Sequence, residues 1–494
     1  MKKRIYKYIM YVPMVFVLLS CGDFLDLDPQ QSLSSDEVFD TQQELENALI
    51  GAYNAYQDTD LGGLNMTIFP DLIAGNADWA GSFPTIVDVT DLVPTAQNGE
   101  VRGLWEDGYS VINAANTVIS SVEALDAEAI SDEDRNLLIG DAYFLKALVQ
   151  FDQVRYFGRP FGSTSSTDLG VPIRNEAVFS LSDYEPRARN TVEQVYTQII
   201  NDLGEAINRL PATSADGRAN SLAATAVLAR VRFQQRDYTA AESLAGQIID
   251  GGFTLNADPT EFYSSEFSGE SIFELAATIQ DNPGATFFTH RNLRDGDTRI
   301  SSSLSDAFDD IVTPSQRAAL AAGNRTFLDL RTRLTEDSDG NLGGMVHPLK
   351  FEDFVAQADN SYIIRLAEFM LMRAEALVIN TNSVNAEAID LLNQVRLRAL
   401  RVFDANGDEI SNAQLAFSAS DFSSPAELQE AIILERRIEL FLEGNYWHDL
   451  TRLQRTIRGV APGTSEADLR FIWPIPQRAL DTNSLLEVNP RNEG

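Results

Sequence analysis

Cysteine occurs once in the 494 residues, at position 21, so no disulfide framework holds this chain together. Histidine is almost as scarce. His290, His347 and His448 are the only three, no two of them fall at metal-ligand spacing, and none stands beside a nucleophile motif. A zinc centre or a Ser or Cys triad is therefore not expected. No glycine-rich phosphate loop of the GxxxxGK type is present. Lysine vanishes after residue 7 except for Lys146 and Lys350, and arginine supplies the remaining positive charge. With a formal net charge of −35 the surface would repel a phosphate backbone, which excludes nucleic acid as a partner. Past the first twenty residues no run is apolar enough to span a bilayer.

Those first residues are the most informative short segment. Residues 1–7 (MKKRIYK) are basic, residues 8–19 (YIMYVPMVFVLL) are apolar, and Leu19-Ser20-Cys21 follows, the layout of a secretory leader. The apolar run is too short to cross a hydrocarbon core of roughly 30 Å, so it exports the chain without anchoring it. The lone cysteine directly behind Leu18-Leu19-Ser20 reads as the lipidated residue that signal peptidase II leaves at a new N-terminus. Two or more acyl chains, at about 0.8 kcal/mol per buried methylene, hold a protein to a membrane. Residues 22–35 (GDFLDLDPQQSLSS) read as a tether. The expected plan is a leader over 1–20, a lipidated cysteine and tether over 21–40, and one helical domain over 41–494.

Within 41–494 apolar residues recur at helical spacing and the strands of an α/β sheet are not evident, so a mostly α fold is predicted. Over residues 141–158 a stripe of Phe144, Ala147, Leu148, Phe151 and Val154 shares one face and Gly158 stops the helix. A helix over 362–379 and a second bearing Ala388, Leu391, Leu392, Val395 and Ala399 are separated by the polar turn 380–385, which predicts an antiparallel hairpin. Residues 222–250 spell a similar hairpin around Gln235-Arg236-Asp237-Tyr238, with Ala229, Ala241 and Ala245 allowing close approach. It resembles a tetratricopeptide pair, although Arg232 stands where that motif prefers an aromatic. One such pair cannot bury its own face, so several must stack. The helical period fades over 61–98 and 251–360, where Gly, Ser, Asp and Asn mix with aromatic rings. Both read as ordered loop-rich regions gathered on one side of the scaffold.

In order and spacing, a series of motifs resembles the SusD/RagB family of surface lipoproteins along almost the whole chain. The first are Cys21-Gly22-Asp23-Phe24-Leu25-Asp26, Gly51-Ala52-Tyr53, and Trp105 with Tyr109 and Asn116. Phe144-Leu145-Lys146-Ala147 then runs into Arg155-Tyr156-Phe157-Gly158, and Gly170-Val171-Pro172 follows. Further on stand Arg365, Glu368, Leu371 and Arg373-Ala374-Glu375-Ala376, then Asn393, Arg396 and Arg398. The most specific piece is Glu435-Arg436-Arg437-Ile438-Glu439-Leu440, with Glu443-Gly444, Trp447, Asp449-Leu450 and Arg452 behind it. Trp473-Pro474-Ile475-Pro476 and Asn489-Pro490 complete the series, which lacks the family's usual glutamine before Asn-Pro. The resemblance implies a tetratricopeptide-type helical scaffold that lids a SusC-type TonB-dependent transporter at the outer membrane, facing the cell exterior. It also implies that loop-rich insertions form the ligand-binding face. The ligand would be a polysaccharide or oligosaccharide, or in RagB-like members a peptide. It implies binding without catalysis, and a surface glycoside hydrolase is the remaining alternative, because acidic pairs are plentiful.

Glu435, Arg436 and Glu439 share a predicted helix with Ala431, Leu434, Ile438, Phe441 and Leu442, and they are expected to form buried ion pairs, not a catalytic carboxylate set. No cofactor is expected. Asp337-Ser338-Asp339-Gly340-Asn341 and Asp404-Ala405-Asn406-Gly407-Asp408 are oxygen-rich enough for calcium but lack the EF-hand register, and both read as hydrated turns. Glycan binding asks for exposed rings flanked by groups that hydrogen-bond hydroxyls. Trp105, Trp447 and Trp473 fall on family motifs and are assigned to the core. Trp79 remains, in a polar loop with Asn76, Asp78 and Phe83, and serves either as a stacking platform or as a plug that seats the loop. A second candidate group is Phe287, Phe288, His290, Arg291, Asn292 and Arg294, near Asp297.

Overall fold

The computed structural model describes residues 41–126, 128–214, 217–283, 297–337, 346–351 and 358–493. The first helices are α1 (Gln42–Tyr56), α2 (Asn65–Ala74), α3 (Pro84–Thr90), α4 (Gly99–Ala124) and α5 (Asp132–Phe157). Next come α6 (Val192–Arg209), α7 (Ser221–Gln234) and α8 (Tyr238–Ile249). Then follow α9 (Ser302–Asp310), α10 (Pro314–Ala322), α11 (Leu366–Thr381), α12 (Ala386–Ala399), α13 (Pro425–Glu439), α14 (Tyr446–Arg452), α15 (Ser465–Phe471) and α16 (Gln477–Thr482). Helices α4 to α8 pack each on the next, α8 packs on α11, and α11 packs on both α12 and α13. This stacking supplies the partner that each hairpin lacks alone. The fold is mostly α and built of tetratricopeptide-type pairs, and residues 41–493 belong to one compact unit.

Helix ends follow local chemistry. Thr41 and Glu44 form a reciprocal capping box on α1, and Ser131 caps α5, whose first turn carries Asp132, Glu133 and Asp134 against the positive end of the helix dipole. From Leu138 to Phe157, α5 is buried at every position except Tyr143 and Arg155. The sequence spacing predicted a single apolar face, but α1, α4 and α6 enclose this helix on several sides. Several of its polar residues are paired: Asp141 accepts from Tyr53 Oη at 2.7 Å and from Arg218 at 2.7 Å, and Lys146 reaches Asn175 at 2.7 Å. On α8, Gly246 leaves room for the Arg373 guanidinium, which a Cβ would approach to 2.3 Å. Arg373 then pairs with Glu387 across the α11–α12 hairpin at 2.7 Å. Trp447 and Trp473 flank Tyr156 with ring centroids 4.8 and 4.6 Å away, and Trp105 meets Phe157 edge-on, so all three motif tryptophans are core.

One expected boundary is corrected. The helix predicted from residue 362 begins at Leu366, because Ser361–Arg365, a Tyr-Ile-Ile run, forms strand β7 and pairs antiparallel with β2 (Ser271–Leu275). The region 61–98 also contains α2 and α3, and the described part of 251–360 contains α9, α10 and short strands. Small sheets also join distant segments: β1 (Ala77–Trp79), β3 (Thr298–Ile300), β6 (Val346–Pro348) and β5 (Thr335–Asp337) lie in that order, and β8 (Leu400–Phe403) pairs with β4 (Thr326–Asp329) and β9 (Glu409–Ile410). Of the two oxygen-rich turns, residues 338–341 lie outside the described residues. In the other, the Asp404 carboxylate accepts from the N–H groups of Asn406 and Asp408, tightening the β8–β9 hairpin.

Candidate ligand-binding site

Gly75, at φ +86°, ends α2 and turns the chain into β1. Pairing with β3 sets Ala77 opposite Ile300 and Trp79 opposite Thr298, and Ala77 is buried while Asp78 is exposed. The same ladder sets Asp297, which immediately precedes β3, beside the chain that leaves β1: its carbonyl accepts from Ala80 N at 2.7 Å. Trp79 is half-buried, with its ring 6.5 Å from that of Phe83, which is 50 % exposed. Gly81 sets the packing between them. A Cβ there would lie 2.4 Å from Asp297 Cγ and 2.6 Å from the Trp79 ring, so only glycine lets carboxylate and indole close on the same backbone. Burial pushes the Asp297 carboxyl up from its ordinary range while Arg299 opposes the shift.

Asp78 lies 3.5 Å from Arg458, which also donates to the carbonyls of Leu72, Ile73 and Ala77. That arginine occupies φ +44° and Gly459 φ +83° in a two-residue turn between the bridged Ile457 and Val460. The site thus offers two ring faces, the carboxylates of Asp78 and Asp297, and the guanidinium of Arg458. Rings suit the apolar face of a sugar and the charged groups suit its hydroxyls.

Asn76 is corrected from ligand contact to scaffold. It is fully buried, accepts from Arg437 Nε at 2.7 Å and donates to Asp71 Oδ1 at 2.8 Å. Burial pushes Asp71 up to about 7 even though Asn76, the Leu442 N–H and Lys350 favour its ionised form. Ser301 completes the anchor, donating to the carbonyls of Asn76 and Gly75 while capping α9. Phe287, Phe288, His290, Arg291, Asn292 and Arg294 lie outside the described residues. Sequence reasoning missed Gly81, Arg437 and Arg458 as parts of this site. The Arg458-Gly459 pair carries a turn signal, whereas the reach of Arg437 to a residue 361 positions away carries none.

The family model described as starch-binding and associating with the outer membrane matches residues 23–233, and the model described as the SusD family matches residues 345–467. The chain belongs to the SusD/RagB family. The SusD-like protein P38 of Formosa agariphila is 24% identical over 96% of this chain and 96% of its own length. A SusD-like protein of Bacteroides ovatus is 24% identical over 90% of this chain and 82% of its own. Among solved structures, a SusD superfamily protein from Bacteroides thetaiotaomicron superposes with a TM-score of 0.76 at 23% identity, covering 91% of this chain and all of its own. A putative sugar binding protein from Bacteroides vulgatus gives 0.74 at 23% identity, covering 91% and 98%.

The SusD motif on α13 forms the buried ionic centre that supports the site. Glu439 receives Arg331, Arg365 and Arg398, and Glu435 receives Arg331 at 2.6 Å with Arg396 at 3.6 Å. Burial would raise the Glu439 carboxyl, but the guanidiniums of Arg398, Arg365 and Arg331 hold it well below the usual carboxylate range. At Glu435 burial prevails over Arg331 and Arg396, and its carboxyl is raised. Arg436 pairs with Asp449 at 3.1 Å, and Arg452 joins Asp449 to Glu375. The predicted buried ion pairs are therefore present, while their apolar neighbours differ: Ile432 and Ile433 are buried and Leu434 is half-buried. Gly444 lets the following turn rest on α2, donating to Thr67 O at a point where a Cβ would lie 2.4 Å from Met66 O.

Proposed function

We propose that this SusD-family protein is a non-enzymatic surface lipoprotein, anchored through Cys21, that captures a polysaccharide or oligosaccharide at the Trp79 face. It then hands the glycan to a SusC-type TonB-dependent transporter, which it lids. The observation carrying this reading is the Trp79–Phe83 ring pair, exposed on one side and flanked by Asp78, Asp297 and Arg458. The family description and the sugar-binding name of the Bacteroides vulgatus structure support the ligand class. The buried ion pairs around Glu435 and Glu439 favour binding over catalysis, because those carboxylates are enclosed by guanidiniums and have no free face for a substrate.

The test is a glycan array probed with the full-length protein, repeated with Trp79→Ala. Loss of the array signal with an unchanged melting temperature is expected, whereas retained affinity would remove Trp79 from the site. Hits on a peptide pool alone would redirect the assignment to peptide capture, and product release from a glycan would make the protein an enzyme. Cys21→Ala should move the folded protein out of the membrane fraction with its binding intact.

A further inference from the structure

A cavity of about 430 Å³ opens where the end of α5, the α7–α8 turn and the loop after α14 converge. Its size suits a small ligand, and it is separate from the ring pair: the loop that presents Arg458 to Asp78 carries Gln454 and Arg455 into the cavity wall. In a chain of net charge −35 the described part of the wall is cationic, with Arg159, Arg236 and Arg455 against one carboxylate, Asp168, among the described residues. Arg159 pairs with Asp168 at 3.1 Å, and Arg455 pairs with Glu430 outside the cavity.

Arg236 is different. Among the described residues it makes no ion pair, and its Nη2 donates to the Phe161 carbonyl at 3.0 Å, which leaves its other N–H groups to the cavity. The residue sits at φ +62°, a left-handed conformation that ordinarily favours glycine, so the hairpin turn carries a guanidinium at a position where backbone preference argues against one. Gln454 stands at φ +53°, likewise unusual for its type, and presents an amide to the same wall. The ring of Phe161, 4.9 Å from that of Tyr196, supplies an apolar face beside them.

We infer that this cavity is a second binding site, which takes an anionic saccharide by pairing its carboxylate or sulfate with Arg236. Guanidinium recognises both anions through paired N–H donors, while Gln454 and the Phe161 ring suit the hydroxyls and apolar face of the sugar. The choice of a sugar body rests on the glycan reading proposed above, whereas the anion requirement rests on the arginines alone.

Calorimetry on the full-length protein in detergent tests it, with tetragalacturonic acid, a sulfated carrageenan tetrasaccharide and neutral cellotetraose as probes. At least one acidic probe is expected to bind, cellotetraose at least tenfold more weakly at this site, and binding should weaken as salt rises. Preference between the acidic probes distinguishes carboxylate from sulfate. Arg236→Gly, which relieves the backbone instead of straining it, should keep the melting temperature and weaken the acidic probe at least tenfold. Trp79→Ala should leave that binding unchanged. Failure of both acidic probes to bind at millimolar concentration, or less than a twofold effect of Arg236→Gly, would overturn the inference. Loss through Trp79→Ala alone would assign the acidic probe to the ring-pair site instead.

Discussion

Arg437 donates through Nε to Oδ1 of Asn76 at 2.7 Å, joining the most specific family motif to the strand that carries Trp79. Asn76 has no exposure through which to touch a ligand, yet it fixes where β1 leaves the scaffold. Asn76→Ala removes the acceptor for the half-buried Arg437 Nε and the donor to the buried Asp71 carboxylate. Stability in urea should fall by roughly 1–3 kcal/mol. Saccharide affinity should fall with it, through the position of Trp79. An unstable variant with undiminished affinity would sever that link.

Gly81→Ala separates the ring from the scaffold in the opposite sense. The added Cβ overlaps the Asp297 carboxyl and the indole. The near-ultraviolet circular dichroism of Trp79 should change and saccharide binding weaken, with the melting temperature lowered only slightly. Unchanged binding would mean that the site tolerates a displaced ring.

Glu439→Gln addresses the ionic centre. One carboxylate serves Arg331, Arg365 and Arg398, so its neutralisation leaves three buried guanidiniums short of charge. A loss of about 3–5 kcal/mol is expected from chemical denaturation. The depressed carboxyls of Glu439, Glu443 and Asp449 make the same point by pH. Each binds its proton more weakly folded than unfolded, so the stability it contributes is present above the ordinary carboxylate range and is lost as pH falls through that range and below.

Asp60 runs the other way. Burial, followed by Glu100, Asp107 and Asp58, pushes its carboxyl up to about 8. Between about 4, where it titrates in the unfolded chain, and that raised value, the folded state holds a proton that the unfolded state has released. Stability from this group therefore declines as pH climbs across the window. Asp60→Asn keeps an oxygen to accept from Asn65 and removes the titration. Melting curves should coincide near pH 4 and diverge toward pH 8, where the variant gains on the order of 1 kcal/mol. Parallel curves at every pH would refute the raised value.

The parts legible in the sequence are those whose partners lie nearby or whose motif recurs in a family. The α7–α8 hairpin is written in its alanines and in the turn around Arg236, and α13 in its run of charges among apolar residues. The core placement of Trp105, Trp447 and Trp473 was legible from their motifs, which singled out Trp79 as the candidate. Strand β7 was not legible, since a Tyr-Ile-Ile run ahead of a helix obeys either period until β2 is seen to pair with it. Nor was the burial of Asn76: an amide in a polar loop looks exposed until the arginine that claims it arrives from α13. Arg331 reaches Glu435 across 104 positions, and no local spacing encodes such a pair.

The scarcity of lysine has a practical consequence. Lys146 and Lys350 are the only lysines beyond residue 7, and both are enclosed at 2 % and 1 % exposure, Lys146 against Asp202 and Lys350 against Glu443. Amine-directed reagents therefore find the folded helical unit nearly inert. Once the leader over residues 1–20 is removed, as proposed above, these two buried side chains are the only lysines left, so a biosensor surface would have to hold the protein through its carboxylates or the Cys21 lipid instead.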